Sequence, residues 1–411
     1  MKEQQKNMPD YTANYPVFPD MKILRVIPSM NPVHGGPCQG IRYSIPGMKK
    51  LGVYNEVVSM DNPGESFLGN DPFIIHAIGK SSGPWKYNPV LFHWLLKNLQ
   101  RFDVVIIHGL WLYHSYAVNK AVLKMRKNSE YSPRVLVMPH GMLDPWFQQA
   151  AGRKIKAIRN TIYWRFIEKN VINNSDGVLF TSKEELKLAK KTFPSYKPRH
   201  ELNAGYGILS PPGFNETMRD SFLKQTSGIT GKKYLLYLSR IDIKKGVDLL
   251  IKSYRHCRQE FPGLPYLVIA GPGLDSPFGK SLRALAGNDD HIIFPGMLTG
   301  AAKWGAIYGC EAFILPSHQE NFGIAVAEAL ACGKPVLISR KINIWQDIIE
   351  QEAGYAEEVS AEGITSLIKK WIRLDGAGRK DMGENAGLLF RNKFTADQAA
   401  RQMLHVIKEI T

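Results

Sequence analysis

The sequence lacks the features of a membrane-spanning or exported protein. Among its 411 residues there is no run of about 18 consecutive apolar side chains, which argues against a transmembrane helix. The first twenty residues are polar and contain no apolar core like that of a signal peptide. We therefore expect residues 1–20 to form a flexible extension of a cytoplasmic protein.

Cysteine is scarce and unpatterned. The four cysteines, Cys38, Cys257, Cys310 and Cys332, lie far apart and form no Cys-x-x-Cys pair. Reduced thiols in a cytoplasm fit this spacing better than a disulfide framework or a zinc site. An Asp-x-Asp triplet is also absent, so a diphosphate site bridged by a metal on that motif is not supported. We predict neither a metal nor a cofactor.

Acidic residues are outnumbered by basic ones. The chain has 53 Lys and Arg against 37 Asp and Glu, a formal net charge of +16. Such an excess favours anionic partners: phosphorylated substrates, an anionic membrane surface or nucleic acid. The stretch 152–199 alone holds twelve Lys and Arg against four acids.

Apolar side chains interrupt this basic stretch: Ile155, Ala157, Ile158, Ile162, Tyr163, Trp164 and Phe166. A basic amphipathic helix of this kind can lie on an anionic membrane, peripherally on its inner face. Alternatively, these apolar residues pack into the protein and the cations are only solvated. The sequence leaves both interpretations open.

Short apolar runs alternate with helical patterns along the chain. The runs are 22–28, 56–60, 73–78, 103–109, 134–140 and 177–182, then 233–240, 266–271, 291–296, 311–317 and 335–339. Most lack polar alternation, which is typical of strands covered on both faces of a parallel sheet. The pattern predicts an α/β fold with doubly wound sheets.

The alternation weakens in a stretch rich in Pro, Gly, Ser and Asn between Pro194 and Gly231, where we place a domain junction. We predict a first α/β domain over 21–215 and a second over 216–394. The segment 395–411 is predicted to be a C-terminal helix.

Two carboxylates, Glu320 and Glu328, lie in a stretch that predicts a loop followed by a helix from about Phe322. The backbone amides of Asn321, Phe322 and Gly323 would then lie at a helix N-terminus, where phosphate or sugar oxygens bind. The carboxylates can accept hydrogen bonds from vicinal diols, which a ribose and a hexose both offer. For this pair alone, a solvated acid beside a helix-capping acid is the alternative.

Two cations follow the strand predicted at 233–240. Arg240 ends it, and Lys245 precedes a helix. Open α/β sheets bind ligands at the carboxyl ends of their strands. Both cations could neutralise a diphosphate there, and Arg can bind it through two hydrogen bonds. Either residue alone would also fit ordinary surface charge.

Taken together, SRIDIKKG (239–246) and PSHQENFGIAVAEALACGKPVLIS (316–339) resemble the signature of retaining family 4 glycosyltransferases of the GT-B fold. That signature is an Arg and a Lys-Gly pair followed by E-x7-E. The resemblance extends over roughly the whole chain after Met21. It implies two Rossmann-like domains facing each other across a cleft, with the C-terminal helix crossing back onto the first domain.

The resemblance also implies roles for these residues. Glu320 would hold hydroxyls of the donor sugar, and Glu328 would hold the nucleotide ribose. Arg240 and Lys245 would hold the diphosphate.

Further segments resemble parts of the family pattern. VHGGPCQGI (33–41) is similar to a Gly-rich loop in which Gly35 and Gly36 approach the donor diphosphate and the acceptor. MPHGMLDPW (138–146) is similar to a segment in which His140 lies beside the transferred sugar. Taken alone, a Gly pair also fits a plain turn, and a His at a strand end also fits a structural role.

A looser match concerns the acceptor side, which His108 and Trp111 would line. One segment departs from the family pattern. The family usually has an Asn-Gly turn at the end of the first domain, whereas this chain has SPPGFN at 210–215.

The implied reaction moves a sugar from a UDP- or GDP-linked donor to a saccharide or lipid-linked saccharide acceptor, in the synthesis of cell-surface polysaccharide such as capsule or lipopolysaccharide. The residues assigned to catalysis are His140, Arg240, Lys245 and Glu320. The resemblance implies that the anomeric configuration is retained. Since no Asp or Glu stands out as a nucleophile, we expect this to occur by a front-face displacement.

Two other functions stay open at this point. A nucleotide-sugar epimerase of the same fold would share two α/β domains and a diphosphate site. A basic nucleic-acid-binding protein would fit the net charge, but no helix-turn-helix, zinc-finger or RNP-type motif is present. We therefore predict no nucleic-acid partner.

Overall fold

The computed structural model describes residues 21–129, 131–226 and 228–411. The extension predicted for residues 1–20 lies outside the described residues. Within them, no helix combines the length and the apolar character needed to cross a bilayer.

The described chain forms two parallel β-sheets. The strands of the first are β1 (Lys22–Ile27), β2 (Tyr54–Ser59), β3 (Ile74–Ala77), β4 (Val104–His108), β5 (Arg134–Met138), β6 (Gly177–Phe180) and β7 (Glu201–Asn203). Those of the second are β8 (Tyr234–Leu238), β9 (Tyr266–Ala270), β10 (Ile292–Gly296), β11 (Ala312–Leu315), β12 (Val336–Ser339) and β13 (Gly354–Glu357). The strand orders are β3-β2-β1-β4-β5-β6-β7 and β10-β9-β8-β11-β12-β13.

Helices connect the strands in both halves. With the first sheet come α1 (Gly36–Lys50), α2 (Pro89–Asn98), α3 (Tyr113–Asn128), α4 (Trp146–Gln149), α5 (Lys154–Tyr163), α6 (Lys169–Asn174) and α7 (Lys183–Ala189). With the second come α8 (Glu216–Leu223), α9 (Val247–Glu260), α10 (Pro277–Ala286), α11 (Gly300–Gly309), α12 (Ile324–Ala331), α13 (Trp345–Glu350), α14 (Ala361–Arg373) and α15 (Gly376–Leu389), followed by α16 (Ala396–Lys408). One π-helical turn, Trp164–Glu168, joins α5 to α6, and another, Phe390–Phe394, follows α15.

The central strands bury both faces, as their unbroken apolar runs predict. All five residues of β4 are buried, and so are all four of β11. Helices cover both faces of a parallel sheet, so its strands carry apolar residues at successive positions instead of alternating apolar and polar ones. The predicted α/β fold with two parallel sheets is therefore confirmed.

The C-terminal helix α16 packs on the first sheet's side of the molecule, against α1 and β7. Gln402 donates from Nε2 to the carbonyl of Asn203 at 3.0 Å. The backbone of Ile208 is bonded to the chain where α16 begins. Its amide donates to the carbonyl of Phe394, and its carbonyl accepts from the amide of Ala396, each at 2.9 Å. The predicted domain limits at 215 and 394 stay predictions; the first sheet ends at Asn203 and the second begins with β8.

Each sheet has a topological switch point, where the strand order reverses. It lies between β1 and β4 in the first sheet and between β8 and β11 in the second. At such a point, the connections leave the two strands toward opposite faces and open a crevice at their carboxyl ends. Arg240, Lys245 and Glu320 follow strands at the switch point of the second sheet, and His108 ends β4 at that of the first.

Candidate functional site

Arg240, Lys245 and Glu320 lie at the switch point of the second sheet, because Arg240 and Lys245 follow β8 and Glu320 follows β11. Nζ of Lys245 forms an ion pair with Oε2 of Glu320. Lys245 is buried, whereas Arg240 is exposed and its guanidinium forms no ion pair with a described residue. One cation is thus fixed at the strand ends while the other is free to meet a ligand.

Gly246 allows the backbone after Lys245 to pass close to the segment that carries Glu320. It has a φ of +68°, and a side chain there would run into the carbonyl of Pro316, at the end of β11. Only a glycine combines that backbone conformation with such a close approach. The Lys-Gly pair therefore brings Lys245 against the segment that carries Glu320.

The loop between Glu320 and α12 is held from both sides. The amide of Glu320 donates to the carbonyl of Lys341 at 2.9 Å, and its own carbonyl accepts from the amide of Asn343 at 3.0 Å. Helix α12 starts at Ile324, two residues later than expected, and Gly323 precedes it with a φ of +81°. The amides of residues 321–323 therefore lie in the approach to the helix rather than in its first turn.

Glu328 lies within α12 and has a partner that the sequence did not indicate. Nζ of Lys303, on α11, lies 2.8 Å from its Oε1. The same ammonium lies 4.1 Å from the centre of the Trp304 ring, a cation–π contact. Each of the two predicted carboxylates is thus neutralised by a lysine from another element.

Lys244 is a further cation that sequence reasoning missed, since the Lys-Gly pair drew attention to Lys245. Its ammonium lies 5.2 Å from the ring centre of Trp146 and 5.1 Å from that of Phe147, both in the first half of the chain. Burial lowers the pKa of Lys244 to about 8, although the negative charge of Glu320 opposes the shift. Lys244 therefore contacts both halves of the site.

The Gly-rich segment lies at the end of β1. Gly35 has a φ of +79° and Gly36 opens α1, and the space where either side chain would begin is empty. The hydroxyl of Tyr206 donates to the carbonyl of Gly36 at 2.8 Å. The Tyr206 ring also lies 4.7 Å from the ring of Phe322, so the Gly-rich turn is linked to the Glu320 loop.

His108 and His140 are brought together by the pairing of β4 with β5. Nδ1 of His108 lies 2.9 Å from Nε2 of His140, and the rings are stacked with 24° between their planes. His108 is buried, whereas His140 is partly exposed and has a φ of +54°. A left-handed conformation is uncommon for histidine and fixes the direction of the ring.

Both rings are held neutral. Burial lowers the pKa of His140 to about 3, and the positive charge of Arg25 adds to the effect. Burial also lowers the pKa of His108 well below its usual range, with His140 and Arg25 contributing. Neutral His140 can still exchange a hydrogen bond with a sugar hydroxyl, but it does not supply a charge.

A cavity of about 400 Å³ opens at the carboxyl ends of β1, β2 and β4, and His108 forms part of its lining. Trp111 is not part of this lining, and its assignment to the acceptor side stays a prediction. Its ring is buried against Tyr163 and Phe193. Leu110 and Leu112, on either side of it, line the cavity instead.

Polar side chains join the two sheets across the crevice. Asn321 donates from Nδ2 to Oγ1 of Thr181 at 2.9 Å, and Gln319 donates from Nε2 to Oδ2 of Asp144 at 3.1 Å. Thr181 follows β6, so the carboxyl edges of both sheets face each other. Nothing in the local spacing of these residues signals the contacts.

Glu185 stabilises the contact between Asn321 and Thr181 from within the first domain. It accepts hydrogen bonds from the amide and hydroxyl of Thr181, at 2.8 and 2.7 Å, and from the amide of Gly141, at 2.5 Å. The turn after His140 and the partner of Asn321 therefore share one buried carboxylate. The described residues contain no group of three or more His, Cys, Asp or Glu side chains suited to a metal ion.

Comparison with known proteins finds a family model that matches the second half of the chain. Residues 219–388 match the family model for glycosyl transferases group 1. This part of the chain is therefore similar to the group 1 glycosyltransferases. The matched region includes Arg240, Lys245, Glu320 and Glu328 and the strands that position them.

Curated proteins match this chain in part. D-inositol 3-phosphate glycosyltransferase of Xylanimonas cellulosilytica is 26% identical over 59% of this chain and 59% of its own length. Trehalose synthase of Pyrococcus horikoshii is 24% identical over 61% of each. The chain thus spans about three fifths of the length of these relatives.

Solved structures establish the fold across the chain. HepE of Anabaena in complex with UDP aligns with a TM-score of 0.72 at 14% identity, over 95% of this chain and all of its own. WaaG, a glycosyltransferase involved in lipopolysaccharide biosynthesis, aligns with a TM-score of 0.61 at 16% identity, over 95% of this chain and 100% of that one. The two-domain GT-B fold is therefore confirmed.

Proposed function

We propose that this protein transfers a sugar from a nucleotide diphosphate sugar to a saccharide or lipid-linked saccharide acceptor. The observation that carries the proposal is the joint placement of Arg240, Lys245 and Glu320 at one switch point, with Glu328 in the helix that follows. Two cations and two carboxylates there match a ligand with a diphosphate and two sets of hydroxyls. HepE, of the same fold, was solved with UDP-glucose and with UDP.

Arg240 and Lys245 are proposed to hold the diphosphate and to stabilise the charge that develops on it as the sugar departs. Ligand binding would then separate Lys245 from Glu320 and leave Glu320 available to the sugar hydroxyls. Glu328, already oriented by Lys303, is proposed to accept from the ribose hydroxyls. No metal or cofactor is assigned a step.

On the opposite side, Gly35 and Gly36 are proposed to let the diphosphate and the acceptor approach the backbone. His140, held neutral by burial, is proposed to contact a hydroxyl of the transferred sugar. With no carboxylate assigned as a nucleophile, the departing phosphate oxygen would take the proton of the acceptor hydroxyl. The anomeric configuration would then be retained.

A screen for donors tests this proposal. The thermal midpoint of the full-length protein is measured with UDP, GDP and their sugars, and transfer to saccharide acceptors is followed with each donor that raises it. We expect at least one nucleotide to stabilise the protein and the product to keep the donor's anomeric configuration by proton NMR. An inverted product would contradict the retaining mechanism, and an epimer formed without acceptor would favour an epimerase.

We also infer that the basic stretch 152–199 of the first domain contacts an anionic membrane. Four apolar side chains there are exposed: Ile155 by 85%, Ile158 by 63%, Ile162 by 56% and Phe166 by 69%. Tyr163 and Trp164 are buried, so the packing alternative holds for these two. Sedimentation with vesicles should depend on the fraction of anionic lipid; independence from lipid charge would remove this part of the proposal.

A further inference from the structure

The first domain carries an apolar groove of about 730 Å³ to which the reaction itself assigns no role. Helix α5 and the π-helical turn form one wall with Ile155, Ile158, Ile162 and Phe166. Their spacing puts all four on one helix face, and their exposure leaves that face without a cover in the described chain. Exposed apolar surfaces of this extent mark binding sites.

The opposite wall is aromatic and rigid. Trp85 is stacked on Tyr163 with ring centres 4.4 Å apart, and Tyr87 meets Tyr113 edge to face at 4.7 Å. The two walls form a concave surface whose volume is in the range of small-molecule sites, roughly 300–1,000 Å³.

The charges around the groove have one sign. The guanidinium of Arg159 lies 5.6 Å from the ring centre of Trp85, and Lys154, Lys156 and Arg165 are exposed nearby. The acid on this helix, Glu168, is fully buried. The ligand that fits is therefore an apolar chain attached to an anionic group.

The groove and the cavity beside His108 share a wall. Trp85 and Tyr87 line the groove, whereas Lys86 between them has a φ of +53° and lines the cavity. Leu112 lines the cavity and Tyr113 lines the groove in the same way, and the amide of Tyr113 donates to the carbonyl of Trp85 at 2.8 Å. One thin strip of chain separates the two spaces.

The polar side of this wall suits a charged headgroup. Lys80 and Lys86 line the cavity, and neither ammonium forms an ion pair with a described residue. Two acids line it as well. Asp61 is engaged with the hydroxyl of Ser29 at 2.6 Å and the amide of Met30 at 2.7 Å, whereas Glu65 accepts only a long hydrogen bond from Asn62, at 3.4 Å.

We propose that the acceptor is an anionic amphiphile: its hydrocarbon chain lies in the groove between α5 and the Trp85–Tyr113 wall, and its phosphate and sugar lie in the cavity beside His108. This inference rests on the proposed transferase function and specifies the acceptor class. The two lysines bind the phosphate, and the sugar hydroxyl to be modified lies toward the His108–His140 pair.

A brominated alkyl phosphate, 12-bromododecyl phosphate at monomeric concentration, is the probe. Bromine quenches tryptophan fluorescence on contact, and Trp85 is the tryptophan in the groove wall. We expect saturable quenching in the full-length wild type, most of which is lost in Trp85→Phe. Inorganic phosphate at the same concentration should neither quench nor compete strongly, because it lacks the chain.

Two groove variants and one control locate the binding. Ile158→Asp and Ile162→Asp change exposed positions, so the fold is kept, and each should raise the probe's dissociation constant about tenfold or more. Leu123→Asp, at an exposed apolar position of α3 outside the groove, should leave it unchanged. Lys86→Ala should weaken binding of the probe but not of 12-bromododecanol.

Three outcomes would overturn the proposal: no saturable quenching by the monomeric probe, binding only to anionic vesicles, or a wild-type dimer that Ile158→Asp dissociates in sedimentation velocity. Nucleotide stabilisation is measured on the same samples. If nucleotides stabilise the protein but the probe does not bind, the acceptor-groove proposal is wrong and the transferase proposal stands. If the probe binds but no nucleotide stabilises the protein, the transferase proposal is wrong.

Discussion

The side chain of Asn321 reaches from the second domain to Thr181 of the first, donating a hydrogen bond of 2.9 Å. A side chain at Gly141 would collide with Asn321, since its Cβ would lie 2.8 Å from the Cβ and Cγ of that residue. Glu320, which we assign to the donor sugar, is the adjacent residue. The loop that carries Glu320 is thus held directly beside the turn that follows His140.

Asn321→Ala removes this contact without touching the proposed donor carboxylates. We expect a larger radius of gyration by small-angle X-ray scattering and a kcat/KM lower by about 2- to 10-fold, the value of one net hydrogen bond. Asn98→Ala, which removes a local hydrogen bond to Trp94 on α2, serves as the control. An unchanged radius and rate would show that the contact does not govern closure.

Arg240→Ala and Lys245→Ala remove the proposed diphosphate ligands. By analogy with the loss of one donor to a developing oxyanion, kcat should fall about 100- to 1,000-fold in each. Arg255→Ala, at an exposed position on α9, should behave as wild type. Turnover within a factor of three of wild type in both site variants would rule out the diphosphate assignment.

The variant Glu328→Ala shows whether Glu328 binds the ribose or the diphosphate of the donor. If Glu328 accepts from the ribose, the variant binds a nucleoside diphosphate about 10-fold or more weakly, because hydrogen bonds to a charged group contribute roughly 1.5–3 kcal/mol. Pyrophosphate, which has no ribose, should bind as to wild type. Equal weakening of both ligands by calorimetry would place Glu328 elsewhere in the site.

Glu168 gives the protein a pH-dependent stability. Burial raises the pKa of Glu168 to about 7; one oxygen accepts from the amide of Trp111 and the hydroxyl of Ser115, and the other has no partner among the described residues. Between about pH 4.5 and 7 the folded state keeps a proton that the unfolded state releases, so stability falls as pH rises.

The expected loss across that window is on the order of 3 kcal/mol in the free energy of unfolding. Glu168→Gln should remove most of this slope in urea titrations at pH 5 and pH 8. Glu216→Gln, an exposed acid on α8, should leave it in place. A variant slope equal to that of wild type would contradict the assignment.

The central strands were predictable because a strand buried on both faces leaves an unbroken apolar run. Two edge strands were not. β7 and β13 are only three and four residues long and are partly exposed, so they carry no such run. Helix α8 was missed for a related reason: its Asn215 cap lies within the Pro- and Gly-rich stretch that predicts only a junction.

The residues of the candidate site likewise include some that the sequence predicts and some that it does not. Arg240, Lys245 and Glu320 are predictable because each follows a strand end, and strand ends meet at a switch point. The partnership of Lys303 with Glu328 depends on how α11 packs beside α12, which no local spacing encodes. The burial of Trp111 against Tyr163 and Phe193 was not predictable, because a position after a strand end does not determine toward which side of the sheet the ring turns.

Calorimetric titration with nucleoside diphosphates tests whether Arg240, Lys245 and Glu320 form a donor site. The wild-type protein and Lys245→Ala are each titrated with UDP and GDP, with pyrophosphate as the reference ligand. We expect one nucleoside diphosphate to bind the wild type more tightly than pyrophosphate does, and Lys245→Ala to weaken its binding about tenfold or more. If neither UDP nor GDP binds, or if the variant binds as tightly as wild type, the proposed donor site is wrong.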